Sequence, residues 1–270
     1  MVQQVTKQPA TTGVSVQFQS EQIIYNATGR RWDPGTDNTN CIQFLTADDI
    51  DGLADGDQVA TWPKRVGQDF TQGTAGNRPL YRATAWDTTP ALETVDFVSA
   101  DQVQTSSLSS ASGDWTFYFV FNPDTTTGNQ SLFGTTTGAM RIYHCYGSGT
   151  GNIYIMDDSF RDTGVAPTTG KQLLTLNMTA GGTTTVRRNG TQLASGSFYM
   201  TARAIGGVTR LGSTEGGGHT YDGDVSVMVI SDGADSSTVR DKTEGYLAWY
   251  WGLQESLPFS HAYRHYMPTI

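Results

Sequence analysis

Glu244-Gly245-Tyr246-Leu247-Ala248-Trp249-Tyr250-Trp251-Gly252-Leu253, running on to Ser256-Leu257-Pro258 and His261-Ala262-Tyr263, decides the fold. It reads as the end of one helix, a glycine stop and an extended tail. Ser236 and Ser237 are placed to cap the helix, because a serine hydroxyl accepts a hydrogen bond from an orphan N–H of the first turn. Val239, Thr243, Tyr246, Leu247 and Tyr250 recur at helical spacing, which predicts the face turned toward a sheet. Gly252 stands where a left-handed residue closes a helix. Pro258 keeps the helix from resuming.

Working back from this helix, the chain reads as strands and turns. Trp115 to Phe121 is aromatic and β-branched and stops at Asn122-Pro123. Met140 to Tyr146, Asn152 to Met156 and the run around Leu173, Leu174 and Leu176 read as further strands. Thr184 to Arg188 turns at Asn189-Gly190 into Thr191 to Leu193, and Asn-Gly is the strongest short-range hairpin signal. Arg187-Arg188 flank that turn and read as a solvated strand end. Val225, Val227 and Val229 alternate in a last strand before the helix. The expected fold is all-β: a two-sheet antiparallel jelly-roll sandwich, one short C-terminal α-helix, and an extended N-terminal arm.

The terminal stretch resembles the C-terminal signature of the LamG-like, concanavalin A-like jelly-roll domains of bacteriophage virion proteins. Glu244 to Leu253, Ser256 to Pro258, and His261 with Tyr263 fit it. Tyr250 departs from a usual lysine and Ala262 from a usual proline. A second stretch is similar to the opening segment of that family: Phe44 to Ile50, Gly52 to Asp57, Thr61-Trp62-Pro63, and Asn77-Arg78-Pro79-Leu80-Tyr81. Val66-Gly67 stands where the family carries Ser-Gly. The likeness covers about residues 41 to 266. It implies a domain over 41–270 and a structural role in a virion: a capsid decoration or head-fibre protein, or a small tail component. The implied partners are the major capsid protein, sister subunits of a homo-oligomer, and host glycans.

Composition removes several classes. The 31 glycines and the 16% charged residues suit short strands joined by tight turns. The formal net charge of −9 leaves no basic stripe to neutralise phosphates, so no nucleic-acid partner is expected. No apolar run is long enough to span a bilayer, so no membrane is expected. Met1-Val2-Gln3-Gln4 has no apolar signal core, so the expected location is the virion, after synthesis in the host cytoplasm. Cys41 and Cys145 lack metal-ligand spacing and read as buried, inert thiols.

Residues 1–40 are Gln- and Thr-rich and precede the family likeness. They read as an anchoring arm, with Val14, Val16 and Phe18 alternating and Ile23 and Tyr25 following. The arm is expected on its own domain or on a neighbouring chain.

A retaining glycosidase needs two carboxyls about 5 Å apart. Glu93 and Asp96, three apart, face opposite sides of a strand. Asp222 and Asp224 belong to a strand start at Gly223. No nucleophile elbow or phosphate loop occurs, and His261 reads as a tether for the tail. The chain is therefore expected not to be an enzyme, and a glycoside hydrolase is the least favoured reading.

A carbohydrate-binding adhesin is the alternative function. Sugar sites combine aromatic platforms with a few directed polar groups. Tyr143, Tyr146, Tyr154, Asp157, Asp158, His219 and Tyr221 form the candidate glycan set, with core packing as the competing account of the tyrosines. No cofactor is expected. Calcium is a weak option at Asp157-Asp158 or Asp48-Asp49-Asp51, with solvated loop acids as the alternative.

Overall fold

A computed structural model describes residues 30–86, 92–98, 100–105, 108, 113–135, 140–147, 150–203, 205, 207–214 and 219–270. Val14, Val16, Phe18, Ile23 and Tyr25 of the expected arm lie outside the described residues.

Among the described residues the strands form two antiparallel sheets of nine and eight strands. The first runs in the order β15 (Thr191–Gly196), β14 (Thr184–Arg188), β13 (Gln172–Met178), β8 (Trp115–Pro123), β17 (Gly223–Asp232), β1 (Cys41–Thr46) and β3 (Lys64–Val66). Beside this path, β6 (Leu92–Phe97) pairs with β17, and β5 (Leu80–Trp86) pairs with β6. The second sheet runs β12 (Phe160–Asp162), β11 (Tyr154–Met156), β10 (Arg141–Tyr146), β9 (Asn129–Thr135), β16 (Thr209–Leu211), β7 (Val103–Thr105), β4 (Phe70–Thr71) and β2 (Thr61–Trp62). This is the expected two-sheet sandwich.

Alternation explains where the core sits. Phe117 meets Phe133 of the second sheet edge-on at 4.9 Å, so Phe117, Phe119 and Phe121 point between the sheets. Phe121 in turn packs edge-on against His144 at 5.3 Å. His144 is fully enclosed, and burial followed by the charge of Arg188 pushes its pKa down to about 3. It is a neutral member of the core at physiological pH.

The opposite face of the first sheet carries Tyr118, Thr175 and Arg187, and there the helix docks. This helix, Ser237–Tyr250, is capped by Ser236, whose hydroxyl accepts from Val239 N at 3.3 Å. Gly252 takes φ +69°, the left-handed stop. Thr243, Tyr246 and Leu247 are buried as expected, but Tyr250 is 38% exposed and lies at the rim of the docked face. No helix among the described residues is long and apolar enough to cross a membrane.

Arg187 corrects the reading of a solvated strand end. It sits opposite Thr175 in the ladder, on the helix face, and is only 12% exposed. Its neighbour Arg188 points to the other side and donates to Ala166 O at 2.8 Å. Residues 30–40, read as arm, also pack on the domain itself. Trp32 is buried and its N–H donates to Pro268 O at 3.0 Å. Tyr246 Oη donates to Asp33 Oδ2 at 3.1 Å.

Candidate functional site

The outer face of the second sheet gathers four of the seven expected glycan residues. In the register of β10, β11 and β12, Tyr143 lies opposite Tyr154, and Tyr154 lies opposite Asp162. Met156 lies between Arg141 and Phe160 in the same way. Because paired residues share a face, these side chains rise from one side of the sheet.

Phe160 and Tyr146 form the centre of the cluster. Their rings stack 4.4 Å apart at 17°, and Phe160 is 42% exposed. Tyr154 approaches Tyr146 at 5.1 Å, and Tyr143 approaches it at 5.1 Å. His219 lies 5.5 Å from the Tyr143 ring. Tyr143 is fully enclosed and Tyr154 nearly so, so they floor the platform rather than present it. Phe160 was not in the expected set. Its signal is the hairpin turn at Asp157-Asp158-Ser159, which places the next residue opposite Met156.

Polar groups frame the platform. Thr150 Oγ1 donates to Asp162 Oδ2 at 2.5 Å, and Asn152 Nδ2 donates to Asp162 Oδ1 at 3.0 Å. Burial opposes the charge on Asp162, but the bonds from Thr150, Gly164 and Asn152 outweigh it and hold the carboxyl below its usual range. At the other end, Tyr143 Oη lies 3.0 Å from His219 Nδ1. Burial, then the charge of Arg141, pushes His219 below its ordinary value, so it is neutral at pH 7.

Three of the expected residues belong elsewhere. Tyr221 is fully buried between the sheets, edge-on to Phe97 at 6.3 Å and to Phe121 at 6.2 Å, so it cannot meet a ligand. Asp157 is also fully buried. It accepts from Met200 N at 2.5 Å and Thr201 N at 2.9 Å, which ties down a loop. Asp158, at φ +113°, pairs with Arg203.

These pairings also bear on calcium. Asp157 faces Arg161 and Asp158 faces Arg203, while Asp49 takes Arg65 Nη2 at 2.7 Å. Arginines already neutralise these acids, so they do not fit an oxygen cage for a divalent ion. Asp241, Glu244 and His261 bring ligand-type atoms within 4.8 Å of one another. There too a cation is already supplied, because the Arg187 guanidinium binds both oxygens of Glu244.

Glu93 and Asp96 find different partners, and Asp224, at the start of β17, lies opposite Asp96 in the ladder. Asp96 takes Arg82 Nη2 at 2.7 Å, and Asp224 accepts from Thr94 Oγ1 at 2.9 Å. Glu93 instead meets Asp48, a partnership the spacing could not reveal because the two are far apart in the chain. Burial first, then the hydrogen bond and charge of Asp48, raises the Glu93 pKa.

No protein-family model matches the sequence. No curated protein matches it. Solved structures do. An arabinofuranosidase complexed with arabinofuranosyl-alpha-1,2-xylobiose superposes with a TM-score of 0.54 at 15% identity, over 69% of this chain and 50% of that one. The fold is a jelly-roll sandwich. Domain 4 of AbnA, a GH43 extracellular arabinanase from Geobacillus stearothermophilus, solved in complex with arabinotriose, gives 0.49 at 17% identity, over 75% of this chain and 98% of that one. A Trypanosoma rangeli sialidase gives 0.46 at 11% identity, over 74% of this chain and 32% of that one. This chain thus spans half the length of the arabinofuranosidase. At 15% identity the arabinofuranosidase likeness bears on fold alone.

Proposed function

We propose that the chain is a non-enzymatic carbohydrate-binding protein that holds a glycan on the outer face of its second sheet. The observation that carries this is the Phe160–Tyr146 stack, 4.4 Å between ring centres with Phe160 42% exposed. An exposed flat ring offers a platform for the C–H face of a sugar. Thr150, Asn152 and Asp162 at one end, and His219 at the other, supply the few polar groups that orient a ligand. Asp162 is the carboxylate of this frame, and its oxygens are taken by Thr150, Asn152 and Gly164. That supports binding without hydrolysis.

The virion role implied by the terminal signature rests on that resemblance alone. In a virion, the platform would be the surface turned toward host glycans.

A glycan array probed with the wild-type protein and with Phe160→Ala tests this reading. Phe160→Ala is expected to weaken each bound glycan about tenfold or more, the equivalent of about 1.4 kcal/mol. Binding that survives unchanged in a folded Phe160→Ala variant, or no binding by the wild type, refutes it. Release of reducing sugar from a bound glycan refutes the non-enzymatic part.

A further inference from the structure

The aromatic platform ends against Arg141. Its register partners are Met156 on one side and Gly134 on the other. The guanidinium-bearing chain therefore rises between a thioether and a position without a side chain. Several arginines pair with a carboxylate, as Arg65 does with Asp49 and Arg82 with Asp96, while Arg78, Arg188 and Arg210 bond carbonyl or amide oxygens. Arg141 pairs with none among the described residues, and its Nε is buried without a protein partner.

Arg141 stands near the phenol of Tyr143, where its charge works against the upward push of burial on that group, and Tyr143 Oη lies 3.0 Å from His219 Nδ1. A half-buried cation with no carboxylate among the described residues is costly. It is the more notable in a chain of net charge −9, where carboxylates are in excess. Among the described residues no carboxylate is paired with Arg141.

We propose that the glycan is acidic, and that Arg141 binds a carboxylate of a sugar whose ring lies on Phe160. The inference rests on the glycan reading proposed above. A planar guanidinium matches a carboxylate with two parallel hydrogen bonds. A neutral glycan would leave the Arg141 charge uncompensated beside an apolar surface.

The test uses matched probes that differ only in the charge of the carboxylate: oligogalacturonates against their methyl esters, and sialyllactose against its methyl ester. Binding is measured for the wild type, Arg141→Gln and Arg141→Lys, with circular dichroism as the check on folding. At least one acidic member is expected to bind tenfold or more tightly than its neutral partner. That preference is expected to vanish in Arg141→Gln, to be reduced in Arg141→Lys, and to weaken as salt rises. Equal binding to both members of a pair, or a preference that survives in Arg141→Gln, overturns the acidic specificity and leaves the glycan reading standing. No binding to any member overturns both.

Discussion

Arg187 grips Glu244 through two hydrogen bonds, Nε to Oε1 at 2.8 Å and Nη2 to Oε2 at 3.1 Å. Glu244 is fully buried beneath the helix, and His261 Nε2 lies 3.3 Å from Oε2. One carboxylate therefore joins the Asn-Gly hairpin, the helix and the tail. Burial opposes its charge, but His261 and Arg187 outweigh burial and lower its pKa.

Glu244→Gln removes the charge and strands the Arg187 guanidinium in a poorly solvated place. A loss of about 3–5 kcal/mol is expected in urea denaturation. Replacing both residues, as Arg187→Met with Glu244→Leu, is expected to recover most of it. Because the folded pKa lies below the ordinary 4.5, this contribution is present above that pH and is lost as pH falls through the folded value.

Gly245→Ala tests the second residue of the signature. Alanine favours a helix by about 1 kcal/mol over glycine. Here a Cβ would fall inside the van der Waals shell of Tyr263 Cβ. The variant is expected to lose stability despite its better propensity, and to become sensitive to proteolysis across residues 254–270. A stabilised variant with a protected tail would contradict the packing described.

Glu93→Gln is expected to act in the opposite sense. The folded pKa of Glu93 lies above 4.5, so its contribution is full below that pH and is lost as pH rises through the folded value. The variant's melting temperature should exceed wild type at pH 8 and match it at pH 4. A lower melting temperature at pH 8 would show that the Asp48–Glu93 contact carries no repulsion.

The tyrosines should divide by location. Tyr221→Phe removes a core hydroxyl that donates to Asp224 O at 3.3 Å, and should cost about 1 kcal/mol without changing glycan binding. Tyr146→Ala should abolish the platform, with binding lost in a protein that still melts cooperatively.

The sequence made local features legible. The Ser236 cap, the Gly252 stop, the Asn189-Gly190 turn and the aromatic strand Trp115–Pro123 depend on neighbours within a few residues. Long-range pairings were not legible. Arg187 and Glu244 are 57 residues apart, and only the alternation of β14 against the helix reveals that Arg187 and Arg188 part company. Residue type places Tyr143, Tyr146, Tyr154 and His219 in one candidate set, but together with Asp157, Asp158 and Tyr221, which the fold puts elsewhere. Tyr221 has the same chemistry but sits on the inner side of the sandwich. Phe160 escaped because a single phenylalanine after a turn has no periodicity.

The most direct measurement is amide chemical-shift mapping on titration with the tightest glycan from the array. The account predicts shifts concentrated at residues 141–146, 152–162 and 219, with those near Tyr221 and the 258–263 tail unmoved. Shifts centred on the pocket of about 410 Å³ lined by Arg240, Ser260 and His261, or spread without a centre, would contradict it.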